Sequence, residues 1–237
     1  MQAIRGSVPP KAGNRPEENE DAWACAGGQG YVLCLRRGQR VHILRPLGQD
    51  TGREGRVAQP PQFVTVRSVL DAMVDRARDA WYSGINWEGG LKWNVKNKAT
   101  RGSHATLLIV HVGETVVSSA VGDSCLFIRK GGQQLVSFPI RHVNEFGITP
   151  SLVWSGYGGA PLRKRVSTRN PWKVFSYTGP YDEVLLATDA LSAWVMSEGA
   201  GGAMERLRSE EPETLLPSLQ REGSVRNDDL TFILVRR

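Results

Sequence analysis

The sequence predicts an α+β fold in which antiparallel strands form the sheet system and helices are segregated from the strands. Two hairpin signals indicate this class. Residues 103–112 and 115–121 are rich in β-branched residues and are joined by Gly113-Glu114, and residues 124–129 and 134–138 flank Gly131-Gly132. Helical patterns stand before and after these hairpins, which favours an antiparallel arrangement over a doubly wound parallel sheet.

Before the hairpins, the sequence patterns for secondary structure are clear in some segments and absent in others. Residues 1–18 are polar and rich in Pro and Gly, which predicts an extended N-terminal arm before a single domain over 19–237. A strand begins at Tyr31-Val32-Leu33, but from Arg36 to Gln59 the apolar residues follow neither strand nor helix periodicity. Residues 66–81 then carry an apolar stripe at i, i+3, i+4 and i+7, which predicts an amphipathic helix. Residues 83–102 are Gly-, Asn- and Lys-rich and predict a loop.

After the hairpins, the sequence predicts one long loop followed by further strands and helices. Residues 141–171 are predicted to be loop. The remaining predicted elements are strands at 172–177, 183–188 and 230–235 and helices near 190–197, 203–209 and 212–222.

Composition excludes several classes of protein. The 237 residues are 40% hydrophobic and 23% charged, so bulk disorder is excluded. The longest apolar stretch, residues 106–112, is too short to span a bilayer, and residues 1–16 contain no apolar signal segment. Three widely spaced cysteines argue against a disulfide framework. We therefore expect a cytoplasmic protein with no membrane partner.

The basic charge is concentrated in one segment. The chain carries a net charge of +6, and residues 34–60 alone contribute +4 from six arginines and two acidic residues. A nucleic-acid interface would place basic residues over a face with aromatic residues between them, and residues 34–59 contain no aromatic residue. A nucleic-acid partner is therefore not expected.

Four acidic motifs lie at the borders of predicted strands. They are Glu20-Asp21, Gly122-Asp123-Ser124, Asp189 and Asp228-Asp229. Carboxylates held at strand ends can face one cleft, and hard cations such as Mg²⁺ and Mn²⁺ prefer several such oxygen ligands. A single Asp at a strand end is usually a turn or cap residue, so the ordered set carries the metal-site hypothesis.

These motifs together resemble the bacterial-type metal-dependent PPM (type 2C) protein phosphatase family. The matching pieces occur in the order of the family and are Asn19-Glu20-Asp21-Ala22, Gly102-Ser103-His104-Ala105-Thr106, Val121-Gly122-Asp123-Ser124, Leu185-Leu186-Ala187-Thr188-Asp189-Ala190 and Asn227-Asp228-Asp229-Leu230-Thr231. The resemblance implies a sandwich of two antiparallel sheets flanked by helices (α-β-β-α). It also implies removal of phosphate from phospho-Ser/Thr proteins with two Mg²⁺ or Mn²⁺ ions.

The resemblance also assigns roles to individual residues. Glu20 would help hold one metal ion through water, Asp21 would orient metal-bound water, and Asp189 and Asp228 would be direct metal ligands. Asp123 would form part of a structural turn or lie outside the direct ligands of the metal. Arg15 is the candidate for gripping the substrate phosphate by bidentate hydrogen bonds, with Lys11 as the alternative.

One element of the family pattern is missing. The family places an Asp-Gly after the strand that Tyr31-Val32-Leu33 begins, where the Asp bridges both metal ions. Here the chain continues Cys34-Leu35-Arg36-Arg37-Gly38. An arginine at a two-metal site is electrostatically adverse, and without the bridging carboxylate at least one ion should be lost.

The missing motif falls in the Arg-rich segment 34–60, which suggests a shifted reading frame. Permitted codons for residues 34–52, shifted by one base, can encode a peptide beginning Ala-Cys-Asp-Gly-Ala-Ser, which restores the Asp-Gly. The choice of third bases contributes to this match. The alternative is a genuine divergent insertion or an arginine-bearing regulatory loop.

Two functions follow as expectations. The first is a Mg/Mn-dependent serine/threonine phosphoprotein phosphatase, a hydrolase that acts in signalling. Its activity would be impaired because the bridging Asp-Gly is absent. The second is an inactive pseudophosphatase that acts as a binding or regulatory module.

Overall fold

A computed structural model describes residues 2–7, 21–26, 30–35, 67–90, 92–102, 104–147, 150–155 and 171–237. Every strand pair in this part of the chain is antiparallel. The described strands are β1 (Gln2–Ser7), β2 (Asp21–Ala26), β3 (Gly30–Leu35), β4 (His104–Ala105), β5 (Leu107–His111), β6 (Val116–Val121), β7 (Cys125–Lys130), β8 (Gln133–Phe138), β9 (Val153–Trp154), β10 (Lys173–Tyr177), β11 (Glu183–Ala187) and β12 (Thr231–Arg236). The helices are α1 (Arg67–Ser83), α2 (Trp93–Arg101), α3 (Asp189–Glu198), α4 (Ala200–Ser209) and α5 (Pro212–Arg221).

The strands form two five-stranded sheets and one short pair. Sheet 1 has the order β1-β12-β11-β7-β8, sheet 2 has the order β10-β6-β5-β3-β2, and β4 pairs with β9. The chain crosses from sheet 2 to sheet 1 between β6 and β7, through the turn that contains Gly122 and Asp123.

The two sheets pack face to face through one apolar cluster. Leu108 and Val110 of β5 belong to it, together with Leu126 and Ile128 of β7. Successive strand residues face opposite sides, so the outward-facing Phe127 belongs to a second cluster, under α3, α4 and α5. Central strands such as β11 are buried on both faces, which is why their sequences read as continuous apolar runs.

Helices cover both outer faces. Leu191 and Trp194 of α3 lie in the cluster that covers sheet 1. On sheet 2, Leu70 and Val74 of α1 pack in a cluster with Val117 and Val121 of β6. The i, i+4 spacing of the two α1 residues explains why one stripe of that helix is buried. The layers are therefore helix, sheet, sheet, helix, which confirms the α+β sandwich that the family resemblance implied.

Three local predictions need correction. The predicted loop at 83–102 contains α2, since its lysines and asparagines lie on a largely exposed helix. The predicted loop at 141–171 contains a 3₁₀ turn at Val143–Glu145 and strand β9. Part of the predicted N-terminal arm is strand β1, which pairs with β12 because extended backbone can complete an open sheet edge.

Other expectations lie wholly or partly beyond the described residues. Residues 34 and 35 end β3, and the rest of the Arg-rich segment 34–60 lies outside the described residues. The helix predicted at 66–81 corresponds to α1 and is confirmed. Of the helices that the structure describes, none combines the length and apolarity needed to cross a membrane.

Candidate active site

The acidic motifs at the borders of β11 and β12 meet because these strands are antiparallel neighbours. Ala187, the last residue of β11, pairs with Phe232 near the start of β12. Asp189 follows β11 as the first residue of α3, and Asp228 and Asp229 precede β12. Two carboxylate motifs that are about forty residues apart in sequence therefore share one end of sheet 1.

Thr188 joins the two motifs by hydrogen bonds. Its backbone N–H donates to the carbonyl of Thr231 at 3.1 Å, and its Oγ1 accepts the Thr231 N–H at 3.2 Å. Gln220 of α5 donates from Nε2 to the carbonyl of Asp228 at 2.8 Å. Thr188 and Thr231 are fully buried, so these bonds hold the acidic residues on a backbone that is itself fixed.

Asp21 reaches the same region from the other sheet. It is the first residue of β2, at the edge of sheet 2, and its side chain is hydrogen-bonded to Thr231 of β12. The candidate site thus lies where one end of sheet 1 meets the edge strand of sheet 2. Neither sheet alone supplies all the carboxylates.

Asp123 enters from the turn that joins the sheets. Gly122 has φ +107°, and a Cβ atom there would lie 2.4 Å from Cγ2 of Thr106. Thr106 Oγ1 is 3.0 Å from Ser124 Oγ, so the turn is closed by a buried hydroxyl pair. Only glycine fits this conformation and this contact. The turn places the buried Asp123 near the other carboxylates.

Burial and the neighbouring carboxylates both raise the pKa of Asp21. Burial raises the pKa of Asp21 well above its usual range, and the negative charges of Asp229, Asp189 and Asp228 raise it further. The hydrogen bond with Thr231 acts in the opposite direction, because it favours the charged form. The pKa of Asp21 therefore depends on the charges of Asp189, Asp228 and Asp229.

The same interactions extend to Asp189 and Asp123. Burial and the charge of Asp228 raise the pKa of Asp189. Burial, followed by the charge of Asp189, raises the pKa of Asp123 to about 6. Arg226 lowers the pKa of both groups. An acidic cluster of this kind is an unfavourable arrangement unless protons or a cation neutralise it.

The donor set suits a hard cation in chemistry, but it does not form a closed ligand shell. Carboxylate oxygens are the ligands that Mg²⁺ and Mn²⁺ prefer. Among the residues that the structure describes, however, no three acidic, histidine or cysteine side chains lie close enough to hold a metal ion together. The described carboxylates thus suit a hard cation in chemistry, while Glu20, the other expected metal-binding residue, lies outside the described residues.

The register of β2 and β3 bears on the missing motif. Asp21 pairs with Leu35, the last residue of β3, and Arg36 follows in sequence. The Asp-Gly that the family resemblance expects would directly follow β3, and the sequence there is Arg36-Arg37. Glu20, Arg15 and Lys11 lie outside the described residues.

Three residues matter more at this site than their sequence patterns indicate. Thr231 stands in the sequence only as the end of a motif, yet it hydrogen-bonds Asp21. Arg226 carries no motif signal, although it stands two residues before Asp228 and interacts with two carboxylates. Asp123 was expected in a turn role, and it also belongs electrostatically to the cluster. Of the roles of these three residues, only that of Asp123 had a sequence signal, the Gly122-Asp123-Ser124 motif.

Solved structures similar to this chain include serine/threonine phosphatases. Stp1 from Staphylococcus aureus aligns with a TM-score of 0.63 at 18% identity, over 100% of this chain and 95% of that chain. The catalytic domain of PstP, solved with two manganese ions, gives 0.55 at 17% identity over 98% and 96%. The PPM Ser-Thr phosphatase MsPP from Mycobacterium smegmatis gives 0.53 at 16% identity over 100% and 98%.

Comparison of the sequence with protein-family models and with curated proteins finds no match. The structural similarity extends over the whole length of the chain at identities below one fifth. At such identities the similarity establishes the fold. The chain therefore has the fold of the PPM-type serine/threonine phosphatases.

Proposed function

We propose that this chain is a metal-dependent serine/threonine phosphoprotein phosphatase whose activity is impaired in the present sequence. One observation carries the proposal. Asp21 of sheet 2 is electrostatically coupled to Asp189 and Asp228 of sheet 1, in a fold shared with serine/threonine phosphatases. Rigid carboxylates from separate elements are what a Mg²⁺- or Mn²⁺-dependent hydrolase requires.

Asp21, Asp189 and Asp228, with Glu20, are the residues proposed to hold the cation. When bound, Mg²⁺ or Mn²⁺ would supply positive charge to the phosphoryl oxygens and acidity to a water molecule. Thr231 positions Asp21 and favours its charged form, and Thr188 fixes the backbone between the two motifs of sheet 1. Arg15 is proposed to bind the substrate phosphate by bidentate hydrogen bonds.

Impairment follows from the missing bridging carboxylate. Two divalent ions a few ångströms apart repel each other strongly unless a shared carboxylate offsets the repulsion. The sequence supplies Arg36 and Arg37 where the Asp-Gly is expected. Loss of this charge stabilisation commonly reduces the rate about a hundredfold or more. The phosphoprotein substrate and a cytoplasmic location remain predictions.

The test is hydrolysis of a phosphoserine peptide by the purified chain with Mn²⁺ and with EDTA. We expect slow, Mn²⁺-dependent release of phosphate that Asp228→Asn abolishes and the matched surface variant Asp79→Asn retains. Release that is equal in EDTA, or unaffected by Asp228→Asn, would contradict the proposal.

The second candidate is a pseudophosphatase that binds a phosphoprotein without turning it over. It is favoured by the lack of a three-residue ligand group within the described part of the chain. This candidate predicts no hydrolysis with any divalent cation, but measurable binding of a phosphopeptide that the unphosphorylated peptide does not show. Fluorescence anisotropy with both peptides distinguishes it from the first candidate.

A further inference from the structure

A second polar site lies at the other end of sheet 1. Glu183 is the first residue of β11, whereas Asp189 follows the last, so roughly 15 Å of strand separates the two ends. A cavity of about 290 Å³ opens beside Glu183. Its lining includes Arg129, Arg208 and Arg236 together with Arg237, and we name it the arginine pocket.

The strand register builds the arginine pocket. Arg129 of β7 and Arg236 of β12 each pair directly with Glu183 of β11, so the three side chains project from adjacent strands on one face of the sheet. Arg208 reaches the same carboxylate from α4, which covers that face. Arg237 lies with its guanidinium 5.3 Å from the ring centre of Tyr181.

The positive charge in the pocket exceeds what Glu183 can neutralise. Arg129 Nη1 is 3.1 Å from Glu183 Oε2, while Arg208 and Arg236 approach Oε1 at 3.5 and 3.4 Å. The last two contacts are longer than charge-assisted hydrogen bonds of good geometry. Each guanidinium carries five N–H donors, so one carboxylate leaves most of them unused.

Two further observations support an unused binding capacity. Nε of Arg129 is buried and has no hydrogen-bond partner within the part of the chain that the structure describes. Asp182, the other acid of the lining, is exposed, and its Oδ2 accepts the Gly131 N–H at 2.7 Å. The lining therefore holds four arginines and two carboxylates, one of which is hydrogen-bonded to the backbone, and Arg208 also pairs with Glu205 of α4.

We propose that the arginine pocket binds a phosphate group, either as inorganic phosphate or on a small phosphomonoester. A phosphate dianion offers several acceptor oxygens, and arginine forks match its geometry by bidentate hydrogen bonds. The cavity, at about 290 Å³, lies at the lower limit of small-ligand sites. Glu183 opposes the incoming anion and weakens its binding, because it occupies the same guanidinium groups.

The test measures binding of inorganic phosphate and of O-phosphoserine to the purified chain by titration calorimetry. EDTA is present throughout, so hydrolysis at the candidate active site is blocked, and the variants of the pocket arginines separate binding in the arginine pocket from binding at that site. Arg208→Gln and Arg236→Gln should each weaken binding by about fivefold or more. Arg221→Gln, an exposed arginine of α5, is the matched control and should leave binding unchanged.

Glu183→Gln provides the opposite change. It removes the competing charge, so we expect binding to strengthen about tenfold and phosphate to raise the melting temperature more than in the unmodified chain. If both ligands bind, the pocket recognises the phosphate group itself. If only inorganic phosphate binds, the ligand is the free phosphate ion and not a phosphomonoester. The proposal is overturned if neither ligand binds, or if Arg221→Gln weakens binding as much as Arg208→Gln.

Discussion

Asp21 and Thr231 begin strands in different sheets, and their side chains are hydrogen-bonded to each other across the sandwich edge. This bond connects the N-terminal acidic motif to the C-terminal one. It also partly offsets the effect of burial on Asp21, because a hydroxyl donor favours the carboxylate over the carboxylic acid.

Replacing Thr231 with valine should raise the pKa of Asp21 further. The substitution keeps the shape of the buried side chain but removes the donor that lowers this pKa. If Asp21 holds a cation, its affinity for Mn²⁺ should fall by up to about tenfold. Carbon-13 NMR titration of the Asp21 carboxyl in the metal-free protein measures the pKa. Thr178→Val, at an exposed position after β10, is the control. An unchanged Asp21 titration in Thr231→Val would contradict the bond.

Neutralising Asp189 should lower the pKa of Asp123. The charge of Asp189 is the largest electrostatic contribution that raises the pKa of Asp123 to about 6. In Asp189→Asn we therefore expect this pKa to move toward the ordinary value of 3.8, although burial still keeps it raised. NMR titration of the Asp123 carboxyl checks the shift. Glu213→Gln, an exposed acid in α5, should leave that titration where it is.

Asp123 should make the metal-free protein less stable as the pH rises. Its folded pKa of about 6 lies above the ordinary 3.8, so the folded state binds the proton more tightly than the unfolded state. The stabilising effect of that proton is present at low pH and is lost as the pH rises through about 6. Asp123→Asn should consequently gain about 1–2 kcal/mol near neutral pH, after allowance for solvent screening.

Urea unfolding in EDTA at about pH 4 and about pH 8 measures this effect. The free energy of unfolding of Asp123→Asn, relative to the unmodified protein, should be higher at the upper pH than at the lower. A difference that is equal at both values would show that the carboxyl does not titrate abnormally.

Gly122→Ala should destabilise the fold by about 2–4 kcal/mol. The backbone there has φ +107°, and the added Cβ would overlap the side chain of Thr106. Gly202→Ala is the matched control, because its Cβ would meet nothing within 4 Å and alanine favours the helix by up to about 1 kcal/mol. Urea denaturation of both variants measures their free energies of unfolding. Equal stability of Gly122→Ala and the unmodified protein would refute the packing argument.

Restoring the Asp-Gly should restore phosphatase activity. The variant replaces residues 34–52 with the shifted-frame peptide that begins Ala-Cys-Asp-Gly. If the bridging carboxylate is what the chain lacks, Mn²⁺-dependent hydrolysis of a phosphopeptide should increase about a hundredfold or more. The same variant with Asn in place of the introduced Asp is the control. If the present chain already hydrolyses the peptide as fast as the restored one, the missing Asp-Gly is not required.

The sequence alone predicted the classes of most elements and their antiparallel pairing. The stripe of Leu70 and Val74 indicated α1, and Gly113-Glu114 and Gly131-Gly132 indicated the hairpins. These signals are local, since periodicity and turn residues reflect the burial of one face and the geometry of one turn. The helix α2 was missed because its nine residues are mostly polar and its lysines and asparagines resemble a loop composition.

The sequence also pointed to Asp21, Asp189 and Asp228 as one group, through their position at strand borders and a family resemblance. Only the tertiary structure decided how they interact. The antiparallel pairing of β11 and β12 brings Asp189 to the motif before β12, and the packing of the sheets brings Asp21 to Thr231. The arginine pocket arises in the same way, because register places Arg129 and Arg236 on either side of Glu183. Such contacts depend on strand register and layer packing, which residues distant in sequence determine jointly.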